Sequence, residues 1–173
     1  VMLSYGFKIS DNMNMKIEPY FQQLYDVPVI ADSSYSVLNR RDFYVENALV
    51  NRGKGRNIGV DITLERYLNK GLYYMVTASI FDSKYYGGDR KWRNTLYNRN
   101  FIVNVLGGKE WMVGRDRQNM FSVNFKITLQ GGDRYAPVDE VATLLDPDRE
   151  VQYDETKAFS KQFSPMFITN YSV

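Results

Sequence analysis

The sequence contains neither cysteine nor histidine. Without histidine there is no Ser-His-Asp or Cys-His arrangement and none of the usual zinc sites. Without cysteine there are no disulfides and no thiolate chemistry, although this leaves the compartment open. Carboxylate-only catalysis survives these exclusions, but no carboxylate pair stands out, so the chain reads as a non-enzyme without a cofactor. No apolar run approaches the ~18 residues of a membrane helix. Single-sign charge is also missing: 22 basic and 20 acidic residues are scattered along the chain, for a net +2. The clustered Lys and Arg of a nucleic-acid footprint are therefore absent. A mean hydropathy of −0.43 looks soluble. A membrane β-barrel, however, hides its apolar residues at every second position and scores the same way.

Aromatic residues are plentiful, with 14 Tyr and 10 Phe, and they suit strands. The stretch "NRGKGRNIGVDITLERYL", residues 51–68, combines a glycine-rich front with an alternating back. A phosphate loop requires its glycines between a strand and a helix, or a closing Gly-Lys-Ser/Thr. Here Ile58, Val60, Ile62 and Leu64 oppose Asn57, Gly59, Asp61, Thr63 and Glu65. That is period 2, the signature of a strand rather than a helix.

The same alternation recurs in "LSYGFKI", "MNMKIEPYFQQ", "LYYMVTASIF", "FIVNV" and "FSVNFKITLQ", with a weaker seventh strand from about Phe159 to the end. Pro19 lacks a ladder donor, which predicts a bulge. Tight connections fall at 10–12, 68–71 and 114–119. Long ones fall at 26–42, 86–95 and 131–158. In an up-and-down sheet this puts every short turn at one end and every long loop at the other, as in outer-membrane barrels. The segment from Phe43 to Leu68 is long for a soluble strand. Tyr25, Phe43, Tyr44, Tyr67, Tyr85, Tyr86, Tyr97 and Trp111 fall near strand ends, where interface girdles sit.

The expected fold is all-β, an antiparallel up-and-down transmembrane β-barrel represented by about seven strands. The chain opens mid-strand, and an odd count leaves two bare edges, so residues 1–173 read as part of a barrel cut from a larger chain.

Residues 49–85, "LVNRGKGRNIGVDITLERYLNKGLYYMVTASIFDSKY", resemble the late barrel strands of TonB-dependent outer-membrane receptors. The match lies in Asn51, Gly53, Arg56, Gly59 and Val60, with Asp61 where Glu is usual. "FQQLYDVPV", "KWRNTLYN", "NVLGGKEW" and "LQGGDRYAPVD" are similar to the same family, so the resemblance covers nearly the whole chain. It implies the outer membrane of a Gram-negative bacterium and a barrel of roughly 22 strands around an N-terminal plug. Its implied function is import of a scarce nutrient (iron chelate, vitamin, glycan or peptide) with force from TonB. The implied partners are TonB, the protein's own plug domain, outer-membrane lipid and a small nutrient ligand. The plug, the TonB-binding region and a final hairpin are not in this sequence. Another outer-membrane barrel, porin or adhesin, and a soluble β-barrel ligand binder remain as alternatives.

Ligand contact is expected at the long loops. "YYGGDRKWRNTLY" offers Arg90, Trp92 and Arg93, and "GGDRYAPVDE" offers Asp133, Arg134 and Tyr135. Stacking and cation–π contacts from these residues suit a sugar or chelate, against the plainer reading that they brace the loops. The acidic run Asp146, Asp148, Glu150, Asp154 and Glu155 lacks EF-hand spacing and reads as a hydrated loop. Lys16, Glu18, Asp61, Glu65 and Lys126 fall on the polar face, where they pair with one another or face the plug.

Overall fold

The computed structural model describes residues 1–39, 45–148 and 150–173. Strands run β1 (Tyr5–Ser10), β2 (Met13–Ile30), β3 (Leu49–Asn69), β4 (Leu72–Tyr86), β5 (Trp92–Asn94), β6 (Phe101–Val113), β7 (Asn119–Gln130), β8 (Arg134–Tyr135), β9 (Lys161–Gln162) and β10 (Met166–Ser172). One antiparallel sheet has the order β1-β2-β3-β4-β6-β7-β10, with β5 on the free end of β4. The sheet is open, and β1 and β10 are its edges. A separate two-stranded ribbon joins β8 to β9. The long last loop also holds a short helix, α1 (Glu140–Leu145).

Period-2 alternation becomes a two-faced surface because the register aligns it across every strand. Tyr5, Ile17, Ile62, Ala78, Val103, Leu129 and Phe167 form one continuous row. Phe7, Met15, Leu64, Val76, Val105, Ile127 and Thr169 form the next on that face. The opposite face carries Gly6, Lys16, Thr63, Thr77, Asn104, Thr128 and Ile168. Within that row Thr128 Oγ1 donates to Asn104 Oδ1 at 2.8 Å, and Asn104 Nδ2 donates to Thr77 Oγ1 at 3.4 Å. A slip of one residue would exchange the faces, so the pattern itself fixes the register.

All three short turns lie at one end, after Ser10, Asn69 and Val113. At the second, Lys70 and Gly71 both have positive φ, 52° and 73°, as a type I′ hairpin turn requires. A Cβ on Gly71 would stand 2.3 Å from the Glu110 carbonyl oxygen, so only glycine fits there. The three long connections gather at the other end, with boundaries that differ from the sequence expectation. Strand β2 continues past Asp26 through register shifts between Leu24 and Pro28. Strand β3 begins at Leu49, and the expected strand residues Phe43 and Tyr44 lie outside the described residues. The anticipated seventh strand divides into β9 and β10, because Phe163–Pro165 turns away from the ladder between them.

The bulge expected at Pro19 does not occur. Pro19 pairs in register with Val60, and its carbonyl accepts Leu3 N–H at 3.1 Å from the β1 side. In an antiparallel strand the N and O of a residue point to the same neighbour. The missing donor therefore faces the edge strand, and β1 loses regular pairing at Leu3 and Ser4 instead.

Glycine spacing in β3 has a spatial meaning. Gly53, Gly55 and Gly59 share parity and so share the polar face. A Cβ on them would meet Val29 Cγ1 at 2.5 Å, Leu38 Cδ1 at 2.8 Å and Tyr20 Oη at 2.6 Å, respectively. The glycines leave room for side chains laid across the strand.

Candidate ligand-binding site

With Gly53 and Gly55 bare, loop residues pack directly on the polar face at the loop end. Val27, Val29, Ser36, Tyr85, Arg93, Thr95, Leu96, Asn98 and Ala158 have buried side chains there, and they come from all three long connections and the strand ends beside them. Asn98 ties this cluster together. Its Oδ1 accepts Ser83 N–H at 3.1 Å and Asn100 Nδ2 at 3.3 Å. Its Nδ2 donates to Asp82 Oδ1 at 2.9 Å and Asn94 Oδ1 at 3.0 Å.

The sequence motif Arg90, Trp92, Arg93 is taken apart by the strand it occupies, because adjacent residues of a strand point to opposite faces. Arg93 points inward, where its Nη1 and Nη2 donate to the two Asp89 carboxylate oxygens at 2.8 and 2.5 Å. These bonds hold the Asp89 carboxyl below its ordinary range and raise the Arg93 guanidinium. Trp92 lies on the apolar face, 5.5 Å from the Tyr86 ring and with the Arg56 guanidinium carbon 5.5 Å from its own ring. Arg90 sits in the exposed loop tip with φ of 62°. These three do not form one site.

Asp133, Arg134 and Tyr135 do come together, on the wall of a cleft of about 830 Å³. Tyr35, Asn39, Leu96, Tyr153, Phe159 and Phe163 also line it. Tyr135 stacks on Phe163 with ring centroids 4.3 Å apart. The pairing of β8 with β9 brings these two rings together, since Tyr135 opposes Lys161 and Arg134 opposes Gln162. Asp133 is neutralised by Arg99, at 2.7 Å. Arg134 donates from Nε to the Asn98 carbonyl at 2.8 Å and from Nη2 to Asn100 Oδ1 at 2.7 Å. Burial lowers the Arg134 pKa from its ordinary value.

The acidic run is engaged in loop turns. Asp146 Oδ1 accepts the N–H of Asp148 at 2.9 Å, and its Oδ2 accepts Gln152 Nε2 at 2.7 Å. Asp154 is pulled down to about 2, first by its hydrogen bond from Lys157 and then by Thr156. Among the described residues no acidic group clusters as a metal site. On the sheet, Lys16 pairs with Glu18 at 2.9 Å and Asp61 accepts from the Ser79 hydroxyl, while Glu65 and Lys126 share a row with two strands between them.

Of the aromatic residues expected at strand ends, Tyr86 and Trp111 lie on the apolar face, the latter 5.7 Å from Phe121. Tyr85 does not join them. Its odd position in β4 turns it onto the polar face, where it is fully buried against Phe159. Sequence reasoning missed Asn98, Asn100, Tyr35, Tyr153, Phe159 and Phe163. The tripeptide Asn98-Arg99-Asn100, dense in hydrogen-bonding groups between two strands, was the available signal for the first two.

No protein family, no curated protein and no solved structure matches this chain.

Proposed function

We propose that this chain forms part of the transmembrane β-barrel of an outer-membrane active transporter, a TonB-dependent receptor, that captures and imports a small nutrient. The observation that carries the reading is the apolar face, whose row Tyr5, Ile17, Ile62, Ala78, Val103, Leu129 and Phe167 crosses all seven strands, and which on β3 is closed by charge at both ends. On β3 the border residues are Arg56 and Arg66, enclosing Ile58, Val60, Ile62 and Leu64. Ten residue steps at about 3.4 Å span roughly 34 Å, which a tilt near 40° reduces to roughly 26 Å of height. A transmembrane barrel strand presents an apolar band of about 25 Å. Trp92 and Tyr86 with Arg56 and Lys84 at one border, and Trp111, Phe121 and Tyr74 with Arg66 and Lys109 at the other, suit the two membrane interfaces.

In this reading the opposite face lines the lumen. The loops folded onto its outer end leave the cleft of Arg134, Tyr135 and Phe163 as the place where a ligand first binds. Energy coupling and the plug belong to other parts of the same protein, and the resemblance of the strand and loop motifs to TonB-dependent receptors supports that assignment.

Sidedness tests the proposal. Arg90 and Lys91 are exposed in a long loop, and Arg115 and Arg117 are exposed in a short turn. Trypsin added to intact cells carrying the full-length protein should cut after Arg90 or Lys91. Arg115 and Arg117 should be cut only once the outer membrane has been opened. Cleavage at Arg115 or Arg117 in sealed cells would overturn the topology.

A further inference from the structure

The cleft contains an arginine that makes no ion pair among the described residues. Arg134 is half-buried, and both of its hydrogen bonds go to neutral oxygens, the Asn98 carbonyl and Asn100 Oδ1. The Asp82 carboxylate acts on Arg134 through its charge but is itself paired with Lys84 at 3.2 Å and accepts from Asn98. Asp133, its chain neighbour, is bound to Arg99. Glu46, also on the cleft wall, makes no ion pair with Arg134 among the described residues. Among the described residues two of the five guanidinium N–H groups are occupied, which leaves part of the fork unassigned.

A cation half-removed from water and hydrogen-bonded only to neutral oxygens favours the arrival of an anion. A planar fork with free N–H groups matches a carboxylate in bidentate geometry, which a point charge such as Lys does not. Beside it stands the Tyr135–Phe163 stack, with Tyr135 37% and Phe163 59% exposed. Exposed aromatic faces next to an unpaired cation receive a molecule that has both a charged end and a flat or apolar body.

We propose that this cleft binds a carboxylate-bearing small molecule with an aromatic or apolar body, its carboxylate taken by Arg134 and its body lying against Tyr135 and Phe163. This names the ligand class of the transport site above and rests on that reading for its place at the cell surface. The two fail separately, because the trypsin test involves no ligand and the binding test below is indifferent to sidedness.

N-acetyl-tyrosine and N-acetyl-tyrosinamide differ only in the carboxylate and serve as matched probes. Titrated against the full-length protein in detergent micelles, the acid should bind about tenfold more tightly than the amide, the scale of one charge-assisted hydrogen-bonded contact. Arg134→Gln should bring the acid to the level of the amide and leave the amide unchanged. On the unmutated protein, phenylglyoxal adduct formation at Arg134, followed by peptide mass, should slow with the acid and not with the amide. This second measurement stands even if the variant fails to fold. Equal affinity for the two probes, binding of neither, or equal protection by both would overturn the proposal.

Discussion

Replacing Asn98 with Ala tests whether the loops are held by one hydrogen-bonded hub. The side chain is fully buried and makes four hydrogen bonds, to Ser83 N, Asn100, Asp82 and Asn94. Each such bond contributes about 1 kcal/mol net, and a donor left buried without a partner costs about 1–3 kcal/mol. Asp82 and Asn94 are only half-buried and can recover water, so their loss is partial. The Ser83 N–H loses its Asn98 Oδ1 acceptor outright. The expected destabilisation is about 2–4 kcal/mol, local to the loop end. Hydrogen exchange read on peptides spanning 82–100 of the full-length protein should accelerate roughly thirty- to several-hundred-fold at Ser83. Exchange at the turn end of the β1–β2 hairpin, residues 5–17, should not change, because it pairs with residues 62–66 of β3, away from the hub. A change below threefold at Ser83, or equal acceleration in both places, would refute the hub.

Gly59→Ala should destabilise the full-length protein by about 1–3 kcal/mol, because the added Cβ falls 2.7 Å from Tyr20 Cζ and 2.8 Å from the backbone oxygen of Ile80. An unchanged urea midpoint would show that the polar face tolerates a side chain there. The Asp89–Arg93 pair gives a pH dependence of defined sign. Because the folded pKa of Asp89 is depressed, its contribution is full above the unfolded value of about 3.9 and disappears as pH falls through the folded pKa. Exchange protection of residues 87–95 should hold from pH 7 to about 5 and decline below about 4. Asp89→Asn should remove that decline, and an identical profile in the variant would assign it to other groups.

The sheet was legible in the sequence because its signal is local. Period 2 can be read from Ile58–Leu64 or Phe121–Leu129 without knowing their neighbours, and the order of short and long connections gave the topology. Pro19 was misjudged because its consequence depends on which neighbour its nitrogen faces, a fact of pairing rather than of composition. Arg90, Trp92 and Arg93 were grouped by proximity along the chain, although the alternation used elsewhere would have separated Trp92 from Arg93 had β5 been recognised as a strand. The cleft joins Tyr35, Tyr135 and Phe163 from distant parts of the loops, and no periodicity links them. Helix α1 carried a readable sign in Asp139, whose side chain accepts Ala142 N–H at 3.0 Å as an N-cap.

The central claim is that the apolar face meets lipid. Since the chain has no native cysteine, single Cys spin labels can be placed at positions 58 to 65 of the full-length protein, with any cysteine elsewhere in it replaced. In bilayers, labels replacing Ile58, Val60, Ile62 and Leu64 should relax with oxygen, which concentrates in hydrocarbon. Labels replacing Gly59, Asp61, Thr63 and Glu65 should respond more to a water-soluble quencher. If the even-numbered labels are shielded from oxygen and quencher alike, that face is packed inside a soluble protein, and the membrane assignment and the importer reading fall together.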